Sequence, residues 1–171
     1  MSENFLNVSY VIIGSKERLS RVKSYQIEQG AECLLCPFQS LQELPSILDS
    51  KIADLDSSVI SLIPAGAFPR KAAREQLIHF SKSEYHFWGW YHFGNKFKGA
   101  SQRIGKLNTF LNKVPQLEQG IFFSKLLYFS VGGLGDSGDN PFAELAKRFY
   151  LRLDPQKPLP SLTIRANSLL Y

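Results

Sequence analysis

The chain predicts an α/β fold, a mostly parallel sheet flanked by helices, and three observations carry that expectation. Val8 to Ile13, Ala31 to Cys36 and Val59 to Ile63 are largely apolar runs without the strict alternation of a half-buried strand. Runs of this length suit strands covered on both faces. Helical periodicity fills the intervals between them, so strand and helix alternate, and right-handed crossovers then bring parallel strands side by side.

Each element has its own signal. Gly14 ends the first strand, and Lys16 to Gln29 reads as a helix with Leu19, Val22 and Tyr25 on one side. Gly30 is its C-terminal stop, and Pro37 stops the second strand. Leu41 to Ile52 is helical around Leu44, Ile47 and Leu48, which puts Pro45 in the first turn, where its missing N–H is tolerated. Pro64-Ala65-Gly66 ends the third strand, and Pro69 opens a helix through Phe80. Glu84 to Phe93 is a strand of another kind: His86, Trp88, Trp90 and His92 share one face, and Tyr85, Phe87, Tyr91 and Phe93 the other. A helix from Lys98 to Lys113 ends before Pro115, and a short strand follows Gln119. Asn140 before Pro141 predicts an N-cap with proline at the first helical position, opening a helix to Tyr150. A proline-rich link (Pro155, Pro158, Pro160) leads to a last strand, Ser161 to Ile164.

Composition bounds the class. With 171 residues, 44% hydrophobic and 20% charged, the chain reads as one globular domain spanning residues 1–171. Thirteen phenylalanines suit an aromatic core around a sheet. No apolar run reaches the 18 residues of a membrane span. Met1 to Asn7 lacks the basic cluster and apolar stretch of a secretory signal, and two cysteines argue against a disulfide framework. Both point to a cytoplasmic protein. The net charge of +5 is uneven: Arg70 to Lys113 holds nine basic residues against Glu75 and Glu84, a local charge of +7. Such a segment suits an anionic partner (a nucleoside diphosphate, an anionic membrane surface or nucleic acid) or a solvated basic face.

The late half of the chain carries the motifs. Trp88-Gly89-Trp90-Tyr91 is followed by Glu118-Gln119-Gly120-Ile121-Phe122, then Gly132-Gly133, then Glu144-Leu145-Ala146-Lys147-Arg148, then Thr163-Ile164-Arg165. In that order they resemble the family-2-like glycosyltransferases of GT-A type, closest to the radical-SAM/selenodomain-associated transferase group. The resemblance covers the second half of the chain; the first half shares only the order of elements. It implies a GT-A-like, Rossmann-like sheet, a nucleotide-sugar donor and a hydroxyl acceptor. On this reading Trp88, Trp90, Glu118, Gln119 and Arg165 line the acceptor side.

The departures are as informative. The family's base-contacting Asp after the second strand corresponds to Pro37 here. Its metal-holding acidic motif at the end of the third strand corresponds to Ile63-Pro64-Ala65, and its catalytic Glu-Asp pair to Pro141 and Phe142. A leaving nucleoside diphosphate needs a cation or a basic cluster aimed at its developing charge. Carboxylate oxygens hold such a cation, and the acceptor hydroxyl needs a base, typically worth about 10²–10⁴-fold in rate. Proline and phenylalanine supply neither.

Substitutes are few. Asp136 or Asp139 stands in for the missing acid if the register shifts; otherwise both serve the loop. Arg70 and Lys71, in the first turn after the third strand, form a metal-free phosphate site or an ordinary exposed helix start. Trp88 and Trp90 suit a sugar-stacking platform, a core or a homodimer contact. Cys33 and Cys36 have C-x-x-C spacing within a strand, which points them to opposite faces and makes them structural thiols. His86 and His92, about 20 Å apart on an extended strand, cannot share a metal. The expectation is a catalytically degenerate glycosyltransferase-like protein that binds or scaffolds, or a metal-independent transferase, without a cofactor. The rivals are a basic module for nucleic acid or membrane, and a structural subunit of a homo- or hetero-oligomer.

Overall fold

The computed structural model describes residues 7–22, 24–92, 115–135 and 140–164. Strands β1 (Val8–Gly14), β2 (Ala31–Pro37) and β3 (Val59–Pro64) are joined in one sheet by β5 (Trp88–Trp90) and β6 (Ile121–Ser124). The order is β2-β1-β3-β6-β5. β1 pairs in parallel with β2 from Val8↔Ala31 to Gly14↔Pro37, and with β3 from Val8↔Val59 to Ile13↔Pro64. β6 is antiparallel to both β3 and β5, so β5 runs with the first three strands. The sheet is mixed and open, with one reversed strand, which makes the fold α/β.

Helices cover both faces. On one side α2 (Leu44–Ala53), α4 (Lys125–Ser130) and α5 (Pro141–Tyr150) bury Leu48, Ile52, Tyr128, Leu145 and Phe149 against Val11, Ile13, Ile60, Leu62, Trp88 and Phe123. On the other, α1 (Lys16–Ser20) and α3 (Lys71–Ser81) bury Leu19, Ala73 and Leu77 against Tyr10, Ile12, Ile63, Tyr91 and Phe122. Every residue of β1 is buried, as its continuous apolar run requires. The aromatic strand alternates as its sequence dictates, with Trp88 and Trp90 in one core and Phe87 and Tyr91 in the other. α5 starts where Asn140 predicts it: the Asn140 side chain accepts from Ala143 N at 3.2 Å, and Pro141 takes the first turn.

Three elements differ from expectation. The helix expected over Lys16–Gln29 stops after Ser20, with Arg21 as its C-cap. Beyond it, tertiary contacts override helical propensity: Tyr25 stacks on Phe68 with centroids 4.0 Å apart, and Glu28 pairs with Arg74 at 2.5 Å. The strand expected over Glu84–Phe93 is ladder-bonded only from Trp88 to Trp90, because its partner β6 has four residues before α4 begins. The last strand, β7 (Thr163–Ile164), pairs not with the main sheet but with β4 (Ala67–Phe68), which the Pro64-Ala65-Gly66 stop concealed. The expected helix over Lys98–Lys113 and the residues Asp136, Asp139 and Arg165 lie outside the described residues.

The free side of β5 is covered by the proline-rich segment. Gln156 N donates to Trp88 O at 2.8 Å, Leu159 N to Trp90 O at 2.9 Å, and His92 N to Leu159 O at 2.9 Å. Pro155, Pro158 and Pro160 have no N–H to present to a further strand, so the segment ends the sheet.

Candidate functional site

The Glu118-Gln119-Gly120 turn is built as a brace. Leu117–Gln119 forms a single 3₁₀ turn closed by Gly120 at φ 67° and ψ 168°. The Gln119 side chain is buried; its Oε1 accepts from Gln116 N at 2.9 Å, and its Nε2 donates to Tyr91 O at 3.1 Å. One amide therefore ties the entrance of β6 to the exit of β5. Tyr91 extends the tie through its hydroxyl, 2.6 Å from Ser61 Oγ on β3. Burial holds that phenol above its ordinary pKa, so it stays neutral. Gln119 thus braces the strands from inside, and the Glu118 side chain lies outside the described residues.

Trp88 and Trp90 belong to the core. Trp88 is fully buried, with Phe149 at 5.4 Å, Tyr150 edge-on at 4.8 Å and its Nε1 donating to Leu153 O at 2.8 Å. Trp90 keeps 7% exposure. A sugar-stacking platform or a dimer contact needs an open ring face, and of the alternatives for these two residues burial favours the core.

The later motifs are also structural. Lys125 Nζ donates to Leu55 O and, at 2.9 Å, to Ala53 O, capping the C-terminus of α2 with a cation. The double glycine wraps a carboxylate that the sequence did not signal. Asp49 of α2 accepts from the Tyr128 hydroxyl and from Leu134 N at 3.1 Å. A side chain at Gly133, which sits at φ 69°, would come within 2.5 Å of Asp49 Oδ1. Arg148 reaches the same turn, donating to Val131 O at 3.0 Å and to Leu134 O. Burial first, and the Asp49 carboxylate second, raise the Tyr128 pKa.

The positions that correspond to the family's acids lie in packed surroundings. Pro64, Ala65, Pro141 and Phe142 are buried, and Pro37 pairs opposite Gly14 at the end of β2. Ligands of open α/β sheets bind beyond the carboxyl ends of strands at the point where strand order reverses. That point is the junction of β1 with β3, and it is closed. Ala65 N donates to Ile13 O at 2.8 Å, and a side chain at Gly14 would meet Ala65 Cβ at 2.8 Å. Among the described residues that form this junction none is a carboxylate, so these residues by themselves do not fit a metal-bound diphosphate. Among the described residues, no group of three or more His, Cys, Asp or Glu is placed to hold a metal ion.

Arg70 and Lys71 stand at the exposed start of α3, directly after β4. Arg70 is the N-cap residue, in extended conformation, and makes no side-chain cap. Lys71 pairs with Glu75 at 3.7 Å with both side chains mostly in solvent, an interaction worth little. Of the other described basic residues in this segment, Arg74 is taken up by Glu28 and by Pro69 O at 2.9 Å. Lys96, Lys98, Arg103, Lys106 and Lys113 lie outside the described residues. The structure therefore separates the expected residues: Trp88, Trp90 and Gln119 are interior, and Arg70 and Lys71 face solvent.

Cys33 and Cys36 are free thiols on opposite faces of β2, Cys36 in one core and Cys33 packed against the other. Burial pushes both up to about 11. At pH 8 about one native thiol in a thousand is then ionised, and alkylation is expected to run on the order of a hundredfold slower than in the unfolded chain. Equal rates with and without urea would show the thiols to be open. The sign for stability follows: the unfolded chain gives up these protons first, so folding weakens as pH rises from about 8.5 toward 11.

One pocket of about 400 Å³ lies at the opposite end of the strands, beside the amino end of β3 and the carboxyl end of β6. Its residues come from the segment before β3, the segment between α3 and β5, and the start of α4. Sequence reasoning missed it because its residues come from stretches far apart in the chain.

The chain matches no model of a known protein family, and no curated protein sequence matches it. Among the described residues, no helix is long and apolar enough to cross a membrane.

Proposed function

We propose that this chain is a GT-A-like domain related to family-2 glycosyltransferases, catalytically degenerate and acting through binding. The observation that carries the reading is the closed junction of β1 and β3, where Gly14 and Ala65 pack together. A metal-assisted transferase needs that crevice open and lined with oxygen ligands. The mixed open sheet, with four of its five strands running the same way and helices on both faces, is compatible with the GT-A-like class. The order of motifs from Trp88 to Arg165 supports the ancestry. Gln119 and Gly133 have structural uses that fit motifs kept without catalysis: one ties β5 to β6 and the other closes on Asp49.

A ligand of this domain would be anionic, a nucleotide-sugar or another phosphate ester, taken without metal by Arg70 and Lys71 at the α3 N-terminus. Thermal-shift and calorimetric titration with UDP, GDP and UDP-glucose, each with and without Mn²⁺, tests this. The expected result is no metal-dependent stabilisation, and any nucleotide binding that occurs should weaken with salt and disappear in Arg70→Ala. Tight Mn²⁺-dependent binding would sink the reading, because it requires a cage of oxygen ligands that the described residues of the β1–β3 junction do not supply.

A further inference from the structure

The sheet has one closed edge and one open edge. The proline-rich segment covers β5, whereas β2, at the other end of the strand order, pairs with β1 alone. The direction of its backbone groups follows from two flanking hydrogen bonds. Gly30 O accepts from Asn7 N at 2.6 Å, and Phe38 N donates to Gly14 O at 3.2 Å. Backbone groups alternate sides along a strand, so the even-numbered residues of β2 face β1, and Ala31, Cys33, Leu35 and Pro37 face outward. Ala31 N is taken by Glu28 O at 3.2 Å, and Pro37 has no N–H. The N–H groups of Cys33 and Leu35 are left toward the open edge, and among the described residues no strand receives them.

Edge strands are ordinarily blunted by charge, by a bulge, by an internal proline or by a cover. β2 lacks each of these among the described residues. It pairs one-to-one with β1 through all seven of its residues, so it has no bulge. Its proline is the last residue of the strand. Its single charged residue, Glu32, is held toward β1, where Ser9 Oγ donates to the carboxylate. Leu35, a large apolar side chain on this strand, is 44% exposed. Such an edge is a template for a further strand, and it carries no outward charge to repel a copy of itself.

We infer that two copies of this chain join through β2, antiparallel across a two-fold axis at Leu34, and so continue the sheet. Leu34 is the middle residue of β2, and this register therefore overlaps the whole of both strands. Cys33 then stands opposite Leu35 of the second copy, and the N–H of each donates to the carbonyl of the other. Every outward N–H of Cys33 and Leu35 is used. At the two ends Pro37 falls opposite Ala31, and neither has a free N–H to lose. Side chains follow the same rule: each Leu35 is covered by the second copy's Cys33 on one face, and the two Leu34 side chains meet on the other. The two Glu32 residues lie four positions apart along the seam, about 14 Å, so like charges are not opposed. That self-compatibility commits the edge to a second copy. The seam shares no residue with the anion site at Arg70 and Lys71, so either can fail without the other.

Sedimentation equilibrium of the full chain tests the dimer, and amide hydrogen exchange followed by NMR reads the seam. The average mass should rise toward that of two chains as concentration increases from about 1 to about 200 µM, as a short interface implies. Over the same range exchange at the Cys33 and Leu35 amides should slow, while Leu34 and Cys36, turned to β1, should not change. Leu35→Lys alters an exposed position and leaves the core untouched; it should weaken dimerisation by about tenfold or more. Under mild oxidation Leu35→Cys should give a covalent dimer through native Cys33, since opposed residues of this kind stand about 5.5 Å apart at Cα. Adding Cys33→Ser should abolish that product. Four results would each overturn the assignment: a chain still monomeric at the highest concentration, a dimer that Leu35→Lys leaves intact, a dimer without slower Cys33 and Leu35 amides, or a covalent dimer that survives Cys33→Ser.

Discussion

Trp88→Ala is expected to lower stability by about 3–5 kcal/mol, the usual cost of removing a large aromatic side chain from a core. Trp88 is among the largest fully buried side chains and joins Trp90, Phe149 and Tyr150 beneath α5. The substitution also strips Leu153 O of its indole donor. Domains are stable by about 5–15 kcal/mol, so a large unfolded fraction is expected at 37 °C. Urea titration followed by circular dichroism measures it. Trp88→Phe separates the two contributions: it keeps a ring and loses only the hydrogen bond and part of the volume, so a smaller loss, about 1–3 kcal/mol, is expected. A Trp88→Ala protein with a wild-type midpoint would return this residue to the surface role that its motif first suggested.

Gly120→Ala is the second large effect. Gly120 combines φ 67° with ψ 168°, a backbone region that residues with a side chain almost never occupy. An added Cβ would also stand 2.8 Å from Leu62 O, a backbone atom of a central strand that cannot swing aside. Strain and clash together predict a loss of about 2–4 kcal/mol. Gly132→Ala is the control. Gly132 has φ 82° but nothing within 4 Å of its would-be Cβ, so only the conformational cost of about 1 kcal/mol remains. Equal melting temperatures for the two variants would refute the clash at Gly120.

The sheet was legible in the sequence because its signals are local. Val8 to Ile13 and Val59 to Ile63 carry their own burial in continuous apolar runs, and Asn140-Pro141 carries its own helix start. Opposite placement of Cys33 and Cys36 follows from strand period alone. What escaped depends on distant partners. The chain after Ser20 leaves its helix because Phe68 and Arg74 offer Tyr25 and Glu28 better contacts. Trp88 and Trp90 read equally as platform or core until Trp88 is seen against Phe149 and Tyr150 of α5, with Trp90 packed beside it. Asp49 gives no sign, in a helix of unremarkable pattern, that it holds the Gly132-Gly133 turn. Trp88, Trp90 and Gln119, which read as an acceptor side in one dimension, are buried in three.

The proline-rich segment that runs beside β5 has a consequence for integrity. It is held by backbone hydrogen bonds of Gln156, Leu159 and His92 and by Leu159 and Leu162, which are buried in the core. Proteolytic removal of the chain after Leu151 would leave every core helix in place and yet take this strap away. The uncovered β5 edge, an aromatic strand with open carbonyls, is a template for another chain's strand. A nicked molecule would thus be lost by clumping with its neighbours while its own core was still folded.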